Sequence, residues 1–130
     1  MKIFRRILGY RDFNQLNSIK DFLTNNNLID KSEVDSLKHI MLFNTEKQRT
    51  WLIVDSDFVY CFLDDTSKDS FEFRWKEKKI NLIGRIKVNP DVKPRVGFVD
   101  FGENHQHWYY SKDLYGSDSN VLKVINELLK

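Results

Sequence analysis

Apolar residues along this chain recur at two different periods, and the change falls near residue 42. Upstream the spacing is helical. Phe13, Leu16, Ile19, Phe22 and Leu23 fall on one face of a predicted α-helix that begins near Asp12. The Asn25-Asn26-Asn27 run ends it, because asparagine tolerates left-handed and turn conformations. A second helix is predicted from Ser32 to Met41. Ser32 would cap it, Glu33 and Asp35 suit its positive end, and Val34, Leu37, Ile40 and Met41 form its apolar stripe.

Downstream the period shortens to two. Thr50–Val54 and Phe58–Leu63 are rich in β-formers and are separated by the polar Ser56-Asp57, which predicts a hairpin. Phe71, Phe73 and Trp75 alternate with Glu72, Arg74 and Lys76, as in a half-buried strand. Leu82–Val88 alternates again, Asn89–Pro94 is turn-rich, and Arg95–Phe101 and Trp108–Ser111 read as two more strands joined around Gly102–His105. An extra strand is expected near Leu42–Glu46. The chain closes with a helix over Asn120–Lys130, capped by Ser119, whose apolar face is Val121, Leu122, Ile125, Leu128 and Leu129.

Strands that follow one another without intervening helices argue for an antiparallel sheet. The expected class is α+β: a bent antiparallel sheet or half-barrel of six or seven strands, plugged by a C-terminal capping helix and preceded by two N-terminal helices. Residues 1–41 are expected as a helical segment packed on the sheet, and 42–130 as the antiparallel β domain.

Thr50-Trp51-Leu52-Ile53-Val54-Asp55 followed by Phe58-Val59-Tyr60-Cys61-Phe62-Leu63 is an apolar strand, a tight polar turn and a second apolar strand. Together with the last hairpin, Val96–Tyr110, and the helix after it, this resembles the pleckstrin-homology-like superfold in its bacterial and GRAM-type variants. The resemblance covers about 42–130. It implies a binding scaffold that recruits a protein, a peptide or a lipid head group without catalysis. Phosphoinositide-binding members of that superfold hold phosphates with basic residues around the first hairpin. Here residues 55–69 carry Asp55, Asp57, Asp64, Asp65 and Asp69 against the single base Lys68, and such an end repels a phosphorylated head group.

Composition changes this picture little. Apolar residues make up 41%, aromatic residues 14% and charged residues 31% of the chain, enough to exclude a disordered polypeptide. The 21 basic and 19 acidic side chains leave a formal charge of +2, which calls for no nucleic-acid partner. The lone Cys61 lies in an apolar run and reads as a buried thiol in a reducing compartment. No stretch approaches the ~20 apolar residues of a membrane span. Met1–Arg11 is positive but has neither a long apolar core nor a small-residue cleavage site, so a cytoplasmic setting is expected.

Candidate chemistry is sparse. Arg74, Lys76 and Lys78 share one face of their strand by the two-residue period, as do Arg85 and Lys87 on the next. If those strands are neighbours, five cations form one surface for a protein partner, and this is the expected binding face of a non-catalytic adaptor. A first alternative is peripheral membrane association through the amphipathic N-terminus, with Phe4, Arg5, Arg6, Ile7 and Leu8 in contact with lipid. A second is a small metalloprotein or enzyme using His105 and His107, with Glu103 or Asp100 nearby; further ligands at convincing spacing are missing. The serines lack a nucleophile elbow and the glycines lack phosphate-loop spacing, so neither catalysis nor a cofactor is expected.

Overall fold

The computed structural model describes residues 15–45, 47–65, 70–93, 95–102 and 107–130. The chain divides into two compact units, Met1–Ser36 and Leu37–Lys130.

In the first unit, helix α1 covers 15–25 of the described residues. Leu16, Ile19 and Leu23 lie along its buried face. Its end is built by the asparagine run. Asn27 takes the left-handed conformation (φ 58°), so that the Leu28 N–H reaches back to the Leu23 carbonyl at 2.9 Å and the Asn27 N–H to the Thr24 carbonyl at 3.1 Å. This pair of bonds consumes carbonyls that a helix end otherwise leaves open. The expected second helix is absent from 32–41. A short 3-10 helix covers Lys31–Ser36, and the chain then extends.

The second unit is α+β, with seven antiparallel strands in two sheets. The first sheet has the order β1 (Lys38–Asn44), β2 (Gln48–Val54), β3 (Phe58–Asp65), β4 (Ser70–Lys78). The second has the order β5 (Lys87–Lys93), β6 (Val96–Asp100), β7 (His107–Ser111). One-turn helices α2 (Lys79–Leu82) and α3 (Lys112–Tyr115) flank the second sheet in sequence, and α4 (Asp118–Leu128) follows. The described residues form no closed barrel.

Three elements differ from expectation. Lys38–Met41 is strand, paired with Trp51–Val54 of β2, and a bulge between Met41 and Phe43 leaves Leu42 without a cross-strand partner and buried in the core. Ile40-Met41-Leu42-Phe43 are four apolar residues in a row, a texture that local periodicity reads equally well as helix and that a bulge accommodates in a strand. Leu82–Val88 is not a strand: Leu82 ends α2, and β5 starts only at Lys87. The turn-like Asn89–Pro94 lies mostly within β5, whose register slips between Asn89 and Lys93. β5 is an outer strand of its sheet, where proline at position 90 is tolerated.

Both sheets and α4 share one core. Leu52, Val54, Val59, Cys61 and Trp75 come from the first sheet, Val99 and Tyr110 from the second, and Val121, Ile125 and Leu128 from α4. The expected closing helix therefore packs as its apolar face dictates, against β5 and β1. Its cap is Ser117 rather than Ser119, with Oγ accepting from the Asn120 N–H at 3.2 Å.

Hydroxyls tie β1 to β7 and to α3. Ser111 Oγ accepts from the Asn44 N–H at 2.9 Å, and the Tyr115 hydroxyl donates to the Met41 carbonyl at 2.6 Å. Burial pushes the Tyr115 hydroxyl up to about 12, so it stays a donor. Gly97 is required opposite Tyr110: a Cβ there would collide with the buried tyrosine ring.

Candidate binding surface

The five candidate cations do not form one sheet face. β4 belongs to the first sheet and β5 to the second, and they do not pair. Within β4 the two-residue period also breaks. A bulge between the pairs Cys61↔Trp75 and Phe62↔Phe73 leaves Arg74 without a cross-strand partner. Its guanidinium turns toward Glu72, with Nη1 to Oε2 at 3.1 Å, and lies 5.7 Å from the centre of the Trp108 ring. Lys76 lies over other rings, with Nζ 4.0 Å from the centre of Phe58 and 5.8 Å from that of Tyr60. Each cation thus sits over an aromatic face, attracted by the ring's electron density.

Lys78, Arg85 and Lys87 instead surround the connector from β4 to β5. Lys78 precedes α2, Arg85 lies in the turn after it, and Lys87 opens β5 opposite Asp100. The connector is tied to the β2–β3 turn at its start, closed by a turn of its own near its end, and held from beneath. The Lys79 N–H donates to the Asp57 carbonyl at 2.9 Å, and the Arg85 N–H to the Leu82 carbonyl at 3.0 Å. Leu82 is buried in the core. Gly84 supplies the positive φ (75°) that lets the chain turn after Ile83. Ile80 and Ile83, one helical turn apart, are left 76% and 57% exposed. The preceding acid, Glu77, is engaged locally, with Oε1 accepting from Asn81 Nδ2 at 2.5 Å and from the Lys78 N–H at 3.2 Å.

The acidic end has a structural role at two positions. Asp55 Oδ1 accepts from the Asp57 and Phe58 N–H groups at 2.8 and 2.7 Å, and Oδ2 from the Tyr60 hydroxyl at 2.7 Å. Asp64, counted in the sequence among the acids of an exposed end, is buried directly opposite the buried Arg49 in the β2–β3 register. Arg49 Nε also donates to Asn44 Oδ1 at 3.2 Å. The juxtaposition of Arg49 and Asp64 was invisible in the sequence, since only strand register brings them together.

The remaining candidates separate into described and undescribed ones. Cys61 is fully buried, and burial pushes its thiol up, an effect that Arg74 only partly opposes. It is therefore held in the thiol form, which is a poor nucleophile. His107 opens β7 opposite Asp100. Glu103 and His105 lie outside the described residues, as do Phe4, Arg5, Arg6, Ile7 and Leu8. Among the described residues no group of three or more His, Cys, Asp or Glu is placed to hold a metal, and no helix is long and apolar enough to cross a membrane. A shallow open depression lined by Phe43, Thr45, Lys47, Gln48 and Asp65 lies at the β1–β2 turn.

No family model, no curated protein and no solved structure matches this chain.

Proposed function

We propose that the chain is a non-catalytic binding module on a pleckstrin-homology-like scaffold, which recruits an acidic protein segment in the cytoplasm along β4. The scaffold reading is supported by the order of a four-stranded and a three-stranded antiparallel sheet followed by a helix whose apolar face joins their common core. The observation that carries the binding reading is the pairing of exposed cations with aromatic faces on β4: Arg74 with Trp108, and Lys76 with Phe58 and Tyr60. Arginine and large aromatics dominate the energetics of protein interfaces. Ring contacts hold these cations near one geometry before a partner arrives, which lowers the entropic cost of docking.

The test is capture of partners by the full chain and by the Arg74→Glu/Lys76→Glu double variant, followed by reconstitution with the purified partner. Charge reversal is expected to lower affinity at least tenfold while leaving the thermal midpoint unchanged. Equal affinity of both chains would exclude β4 as the docking strand.

A further inference from the structure

We propose that the β4–β5 connector is a second surface, distinct from the Arg74 and Lys76 pair, and that it docks on an anionic lipid bilayer. Three observations converge on residues 78–87. Ile80 and Ile83 stand clear of the protein at 76% and 57% exposure, although isoleucine is among the most buried residue types. Lys78, Lys79, Arg85 and Lys87 surround them, and the segment contains no acid. Of the nearest acids, Glu77 is hydrogen-bonded to Asn81 and Asp100, opposite Lys87, accepts from the Gly102 N–H, while Asp57 is exposed and meets the connector through its backbone carbonyl.

The connector is also preformed. Leu82 fixes it to the core, and the Lys79 N–H ties it to the β2–β3 turn. A preformed segment with two exposed isoleucines and four cations within a few residues of them suits an interface that offers hydrocarbon below a layer of negative charge. Such an interface supplies both features everywhere, so the tip needs no shaped pocket opposite it. An acidic protein would have to present an apolar recess matched to both isoleucines.

Flotation of the full chain with phosphatidylcholine vesicles, with and without phosphatidylserine, tests this. Binding is expected only with phosphatidylserine and is expected to weaken as salt rises, because exposed charges are screened. Ile80→Asn/Ile83→Asn is expected to lower binding at least tenfold with an unchanged thermal midpoint, since both side chains are exposed. Arg5→Gln/Arg6→Gln in the N-terminal arm is expected to leave it intact. As a second readout, an environment-sensitive dye on the Ile80→Cys chain is expected to shift to shorter wavelength on the anionic vesicles; Cys61, being buried, does not take the label.

Absence of flotation at low salt overturns the proposal. So does full binding by the isoleucine variant, or loss of binding in the arm variant alone. Capture by polyglutamate without capture by vesicles assigns the connector to an acidic protein and overturns it equally. Partner docking is read at Arg74 and Lys76 and vesicle docking at Ile80 and Ile83, so the two readings fail separately.

Discussion

The β2–β3 turn and the β4–β5 connector touch one another through the Asp57 carbonyl and the Lys79 N–H at 2.9 Å, yet they use charge in opposite ways. In the first, Asp55 spends its carboxylate on two backbone N–H groups and the Tyr60 hydroxyl. In the second, Lys78, Arg85 and Lys87 stay exposed around two exposed isoleucines. A side chain whose bonds are satisfied inside the fold stabilises the fold. One left in water next to exposed apolar surface is free to meet something else. The difference separates a structural turn from a contact surface more clearly than the sign of the charge does.

Three variants break or sharpen that contrast. Gly97→Val sets the scale of a defect in the core that both turns serve. It forces a Cβ into the Tyr110 ring, and a loss of about 3 kcal/mol is expected from overpacking. The urea midpoint measures it; an unchanged midpoint would mean that Tyr110 swings aside freely. Asp55→Ala removes three hydrogen bonds from the β2–β3 turn. A loss of about 2 kcal/mol is expected by analogy with lost caps and charge-assisted bonds, and the same titration reads it. Ile80→Ser/Ile83→Ser is expected to change stability by no more than about 0.5 kcal/mol, as surface changes do. Should the connector variant cost as much as Asp55→Ala, both segments are structural and the contrast disappears.

The candidate surface was only partly legible in the sequence. The cations were visible, and so was the alternation that put Arg74 with Lys76. The bulge that separates them was not, since a bulge is defined by two strands together and leaves no required residue in one. Ile80 was unremarkable in the sequence because an exposed isoleucine and a buried one look alike. Only the turn at Gly84 and the burial of Leu82 show which way the connector faces. The acids suffered the opposite error. Asp64 counted as one more acid of a charged end and is buried opposite Arg49.

What the sequence determined by itself was local: the asparagine stop of α1, the hairpin around Ser56-Asp57, the apolar face of α4 and the antiparallel sense of strands joined by short links. These follow from backbone preference and side-chain period, which act over a few residues. The tertiary structure alone decided that the first strand begins as early as Lys38, that the strands divide into two sheets, and that the basic residues part company at Arg74 and at α2. Those outcomes depend on which distant strand offers hydrogen bonds and which side chains compete for one core. No window of neighbouring residues contains that information.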